Sequence, residues 1–213
     1  MNPYLYMIVG FCLIPYSFFL SAAEQPNIIF ILADDMGYGD VAANNPNCKF
    51  PTPFLDQLAE EGMRFSDAHT NSSVCTPTRY GILTGRYSWR TRLKGGVLDG
   101  AAGPLIASDR TTVATFLKKQ GYNTACVGKW HLGMSWPTKD GKKPVRSRGD
   151  NIDFTQPIEN GPNDVGFDYF YGISASLNMP PHAYIENRMI DADDLVFAKD
   201  SKDIKALGLV RAK

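Results

Sequence analysis

The segment Asn27-Ile28-Ile29-Phe30-Ile31-Leu32 constrains this chain more than any other. An unbroken apolar run rich in β-branched residues suits a strand covered on both faces, as in a parallel sheet. The run stops at Ala33-Asp34-Asp35, and the glycine-punctuated Met36-Gly37-Tyr38-Gly39-Asp40 and a loop through Asn44-Asn45-Pro46-Asn47 follow. Ligands of open α/β sheets bind beyond the carboxyl ends of the strands, which is where Asp34 and Asp35 fall. Adjacent carboxylates repel unless a cation or hydrogen bonds compensate them. Their oxygens suit Ca²⁺ or Mg²⁺. A solvated acidic turn with one Asp capping a helix fits the same pattern.

Further elements alternate. Thr52 is placed to cap a helix with Pro53 in its first turn, with Phe54, Leu55, Leu58 and Ala59 on its buried face and Gly62 as its stop. Met63-Arg64-Phe65 reads as a short strand. A second helix starts at Asp109 or Thr111, carries Val113, Ala114, Phe116 and Leu117 on its apolar side, and ends at Gly121. Tyr122 to Gly128 reads as a strand. Trp136 to Asp153, polar and rich in Lys, Arg, Pro and Gly, reads as a long loop. Phe167 to Ile173 and Ala183 to Ile190 are strand candidates, and the tail from Asp191 is charged, with Asp193-Asp194 in it. The alternation predicts an α/β fold with a largely parallel sheet.

Composition narrows the function. Hydrophobic residues are 44% and charged residues 21% of the 213, which excludes a disordered chain. Lys plus Arg and Asp plus Glu total 22 each, so the net charge of zero gives no sign of a nucleic-acid footprint, while a local anion site stays open. From Tyr4 to Leu20 the residues are almost wholly apolar, and Ser21-Ala22-Ala23 follows. Residues 1–23 therefore read as a secretory signal peptide, with export to a periplasmic or extracellular location. An uncleaved membrane anchor is the alternative. Besides Cys12 in that leader and Cys75, the chain has Cys48 and Cys126, a candidate disulfide pair or two buried thiols.

The most informative stretch is Ser73-Val74-Cys75-Thr76-Pro77-Thr78-Arg79-Tyr80-Gly81-Ile82-Leu83-Thr84-Gly85-Arg86. Pro77 fits a helix's first turn and Gly85 its end, so Cys75 sits at a helix N-terminus, where free N–H groups and the dipole favour an anion. Arg79, four residues on, shares its face. A nucleophile and a guanidinium converging there suit a tetrahedral oxyanion. Asn71-Ser72-Ser73 just before it satisfies the N-glycosylation sequon. Lys129 and His131, after the strand ending at Gly128, point to one side if the extended geometry persists.

Cys75-Thr76-Pro77-Thr78-Arg79, continued by Leu83-Thr84-Gly85-Arg86, resembles the signature of the formylglycine-dependent sulfatases. Asp34-Asp35-Met36-Gly37-Tyr38-Gly39 resembles the metal-binding segment of that family, and Gly128-Lys129-Trp130-His131-Leu132-Gly133 resembles another active-site segment. The likeness runs from about Asn27 to about Arg188, in family order and spacing. It implies an alkaline phosphatase-like α/β sandwich with a largely parallel central sheet flanked by helices, and a sulfuric ester hydrolase. It implies that a formylglycine-generating enzyme oxidises Cys75 to formylglycine (3-oxoalanine). It also implies that Asp34, Asp35 and residue 75 hold Ca²⁺ or Mg²⁺, and that the substrate is an aryl or carbohydrate sulfate ester. The hydrated aldehyde would attack sulfur and displace the alcohol. His131 would then take a proton from the second hydroxyl, and sulfate would leave as the aldehyde reforms. Arg79 and Lys129 would stabilise residue 75 and the sulfate charge. Ser176, in Gly172-Ile173-Ser174-Ala175-Ser176, matches a substrate-side position, although Ser174 stands where proline is usual. His182 matches no family catalytic histidine and reads as structural or substrate-proximal.

Members of the family are longer, and their second metal-ligand pair comes from later sequence; the expectation is a truncated N-terminal part, 24–213, with little or no activity by itself. The alternatives are a phosphoesterase or phosphonate hydrolase of the same superfamily, a non-catalytic fragment, or a thiol hydrolase using an unmodified Cys75.

Overall fold

The computed structural model describes residues 25–145 and 149–191. The leader over 1–23 and the charged tail after Asp191, with its Asp193-Asp194 pair, lie outside the described residues. The chain divides into two compact units, Met1–Asp56 and Gln57–Lys213.

In the first unit, Asn27 to Leu32 form no strand. Ile29 is 85% exposed, and Ile28, Phe30 and Ile31 are also in solvent. A buried strand needs hydrogen-bonded neighbours, and among the described residues nothing pairs with this run, so the expectation fails here for want of partners. Asp34 and Asp35 lie in an exposed turn, joined by a cis peptide bond. A 3-10 turn at Tyr38–Asp40 follows, with the Gly37 N–H donating to Asp40 Oδ2 at 2.8 Å. The first helix, α1, covers Pro53–Glu61 and crosses the division between the units. Its Thr52 does not cap in the expected way: the hydroxyl accepts from Ala42 N and donates to Asp56 Oδ1, fastening the Asn44 loop to the helix start. Phe54, Leu55 and Leu58 are exposed, so the apolar face predicted for burial has no cover among the described residues. Met63 to Phe65 forms no strand either, with Met63 and Phe65 in solvent.

The second unit holds the core. Helix α2 spans Cys75–Thr84 and ends on Gly85, whose left-handed φ of 62° closes it. Helix α3 spans Val113–Lys119 and is capped by Thr112, whose hydroxyl accepts from Thr115 N, one residue after the expected start. Gly121 and Tyr122 return their N–H groups to Lys118 and Leu117. Among the described residues four strands follow: β1 Ala125–Lys129, β2 Tyr169–Ile173, β3 Tyr184–Glu186 and β4 Met189–Ile190, in that spatial order. The α/β class holds, but the sheet is mixed. Among the described residues only β1 and β2 are parallel; β2, β3 and β4 are antiparallel neighbours. Connection length is the reason, since only the long excursion between β1 and β2 can return a chain in parallel. The candidate strand Ala183 to Ile190 is in fact a hairpin turning at Asn187, with φ 54°.

One sheet face carries Cys126, Phe170 and Ile185 into a core shared with Tyr80, Leu98, Leu105, Trp130, Leu132, Met134, Trp136 and Ile152. Much of that core comes from irregular segments, Leu93 to Ile106 and Trp130 to Trp136. The long loop is anchored by Trp136 and the fully buried Ile152, with a bridge between Thr138 and Ile152. The opposite face leaves Val127 74% exposed. Gly128 and Gly172 are cross-strand partners, and a Cβ on Gly172 would stand 1.7 Å from the Gly128 carbonyl oxygen. That approach seats the carboxyl ends of β1 and β2 against each other, where Lys129 and Ser174 emerge.

Candidate active site

Residue 75 is placed by a turn that the preceding chain braces. Val74 caps α2 with extended backbone and no side-chain bond, and residue 75 stands at the positive end of the helix dipole. Asn71 Nδ2 donates to Pro77 O at 2.8 Å, and Thr78 Oγ1 donates to Ser72 O at 2.8 Å. Gly81 makes room for this brace, because a Cβ there would come within 2.2 Å of Asn71 Nδ2. The nitrogen that a glycan would take is therefore the one holding the helix.

Two longer links bring the other predicted residues to the same helix. Thr76, fully buried, accepts from Leu98 N at 3.1 Å, and Leu98 O accepts from His131 Nε2 at 2.7 Å. One residue's backbone thus joins the neighbour of residue 75 to His131. Because a carbonyl only accepts, the neutral imidazole carries its proton on Nε2 and its lone pair on Nδ1. Arg79 Nη1 donates to Lys129 O, tying α2 to the end of β1. The extended geometry does not persist to His131, whose φ is 59° and which is 1% exposed, whereas Lys129 is half-buried. His131 N donates to Ser174 O at 2.9 Å, so Ser176, half-buried two residues on, leaves the sheet beside it. Ser174 is itself buried, and its hydroxyl has no partner among the described residues. His182 is exposed, with its pKa pressed down by partial desolvation.

In the second unit α2 is thus joined to the end of β1 through Arg79 and Lys129 O, and to His131 through Thr76 and Leu98. A guanidinium and the positive end of a helix are groups that would suit a tetrahedral anion. Sequence reasoning missed Thr76 and Leu98, whose roles rest on contacts 22 and 33 residues apart. Among the described residues neither Cys48 nor Cys126 is in a disulfide, so the candidate pair is not linked there. Burial pushes the Cys126 thiol up to about 11, partly offset by the Arg79 charge. Among the described residues, no group of three or more His, Cys, Asp or Glu side chains converges to hold a metal. Nor is any helix there long and apolar enough to cross a membrane.

Known proteins resemble this chain in sequence and fold. An N-acetylgalactosamine-6-O-sulfatase of Bacteroides thetaiotaomicron is 38% identical over 78% of this chain and 30% of its own length. Arylsulfatase G of Mus musculus is 40% identical over 74% of this chain and 25% of its own. A solved structure described under the metabolism of multiple glycosaminoglycans by Bacteroides thetaiotaomicron superimposes with a TM-score of 0.70 at 35% identity, over 81% of this chain and 33% of that one. The chain spans less than a third of the length of these two sequence relatives. The sulfatase family model matches residues 26–205, and the chain belongs to the sulfatase family.

Proposed function

We propose that this chain is part of a sulfuric ester hydrolase that attacks a carbohydrate sulfate through residue 75, as a formylglycine made from Cys75. The observation that carries this reading is the Leu98 backbone, which fixes His131 against the turn bearing residue 75. Arg79, anchored on Lys129 O, and the α2 N-terminus offer positive charge to the sulfate oxygens. Lys129 adds a second cation at the same strand end. His131, with Nε2–H committed to Leu98, can receive a proton at Nδ1. Ser176 supplies a hydroxyl on the substrate side. The carbohydrate leaving group is supported by the relative named for sulfate on N-acetylgalactosamine and by the glycosaminoglycan setting of the similar structure.

Asp34 and Asp35 fit a hard divalent cation in kind, since carboxylate oxygens are what Ca²⁺ and Mg²⁺ take. Two residues fall short of the six to eight oxygens Ca²⁺ prefers. When bound, such a cation supplies Lewis acidity. The same reading includes export under the leader of residues 1–23 and maturation by a formylglycine-generating enzyme.

Matched p-nitrophenyl sulfate and phosphate, given to the complete hydrolase of which this chain would be a part, test the proposal. Sulfate turnover should exceed phosphate turnover and should vanish in Cys75→Ala. Preference for the phosphate ester, or hydrolysis that survives Cys75→Ala, would refute it.

A further inference from the structure

Beyond α2 the chain makes a second surface that the reaction above does not use. Between Asp67 and Asp99 the sequence holds no carboxylate, while Arg86, Arg90, Arg92 and Lys94 fall within nine residues. A 3-10 turn over Ser88–Arg90 shapes this stretch. Ser88 is buried; its carbonyl accepts from Thr91 N at 2.8 Å and from Thr91 Oγ1 at 2.6 Å, and Thr91 Oγ1 accepts from Leu93 N. Leu93 packs on the core. This tight anchor turns the residues on either side of Ser88 outward. Tyr87 and Trp89 stack there, ring centroids 5.4 Å apart and 17° from parallel, yet remain 51% and 56% exposed. Two large exposed rings held in a fixed stack are a costly thing to leave in water unless something covers them.

The surrounding cations are oriented by backbone carbonyls. Arg86 Nη2 donates to Arg90 O at 3.3 Å, Lys94 Nζ to Trp89 O at 2.9 Å, and Arg92 Nη2 to Gly103 O and Pro104 O. Carbonyl partners hold these side chains in place without cancelling their charge, so the patch keeps a local positive field in a chain of zero net charge. Arg forks match tetrahedral oxyanions, and flat aromatic faces take the apolar face of a ring.

We propose that Tyr87, Trp89, Arg90, Arg92 and Lys94 form a docking surface for a sulfated polysaccharide, separate from the residue-75 site. The aromatic pair takes a sugar ring, and the cations take sulfate groups on its neighbours. Residue 75 and the Tyr87–Trp89 stack follow opposite ends of α2, whose ten residues at about 1.5 Å each span about 15 Å. One polymer can therefore touch both, and the second contact raises the effective concentration of the first. The choice of a sulfated glycan as ligand rests on the sulfate-ester reading; the surface itself does not.

Affinity electrophoresis of the full chain through gels containing chondroitin sulfate, hyaluronan or poly-U RNA tests this. Chondroitin sulfate should retard the chain, and both unsulfated hyaluronan and poly-U should bind about tenfold more weakly. Tyr87→Ala/Trp89→Ala and Arg90→Ala/Lys94→Ala should each weaken retardation about tenfold with an unchanged melting curve. Cys75→Ala should bind as the parent does, so hydrolysis can fail while docking holds. Absence of retardation, equal binding of hyaluronan or poly-U, or full binding by the aromatic variant would overturn the proposal. Loss of binding in Cys75→Ala would also overturn it, by placing the polysaccharide in the active site alone.

Discussion

Thr76 is silent in the sequence, yet its hydroxyl supports the arrangement around residue 75. It receives the Leu98 N–H in the core, and the carbonyl of the same residue holds His131. Replacing it by valine keeps the shape and removes the acceptor, leaving a buried N–H unpaired at a cost of about 1–3 kcal/mol. Thr76→Val should therefore lower the urea midpoint, while Thr76→Ser should recover most of the loss; equal midpoints for parent and valine variant would show the bond to be idle. Cys75 and Arg79 were legible because a helix start, a proline and an i, i+4 pair are local features. Thr76 and Leu98 were not, since their partners lie 22 and 33 residues away. The geometry at His131 was misread for a local reason: its φ of 59° breaks the alternation that a strand end suggests.

At the scale of elements, what could be read was what satisfies itself. Helix α2 carries its own stop in Gly85, α3 is capped by Thr112, one residue past the Thr111 expected, and β1 and β2 pair through Gly128 and Gly172. The runs at Asn27 to Leu32 and Met63 to Phe65 have strand composition, but a strand exists only with a partner. The hairpin within Ala183 to Ile190 did carry a signal, an Asn at the turn, where left-handed backbone is tolerated. The clasp between α3 and the start of the sheet also depends on pH. Asp168 accepts from Lys118 Nζ, and from Thr124 N and Oγ1 at 2.9 and 3.0 Å. These bonds, Lys118 first, lower its pKa from 3.8 to about 2. A depressed folded-state pKa stabilises above the unfolded value and loses that contribution as the proton goes on. Stability should thus fall between about pH 4 and about pH 2, and Asp168→Asn should flatten that limb in acid titrations followed by circular dichroism. An unchanged acid limb would show that the clasp does not contribute.

For the whole molecule, the second unit has a continuous core, yet one sheet face still exposes Val127, Tyr169 and Tyr184. Exposed apolar area on a sheet favours association. The purified chain should self-associate with concentration in sedimentation velocity, and Val127→Lys should reduce that tendency without lowering the melting temperature. A parent chain that stays monomeric throughout would refute the expectation. The central claim concerns residue 75, and the most direct measurement is the mass of its tryptic peptide, Phe65 to Arg79, from protein made alongside a formylglycine-generating enzyme. The account predicts an aldehyde, lighter than the thiol because a sulfur and two hydrogens give way to a single oxygen. Cys126 should still be a thiol, because Gly128 and Trp130 stand after it where Pro77 and Arg79 follow Cys75. An intact thiol at residue 75, alkylated by iodoacetamide in protein that hydrolyses a sulfate ester, would contradict it.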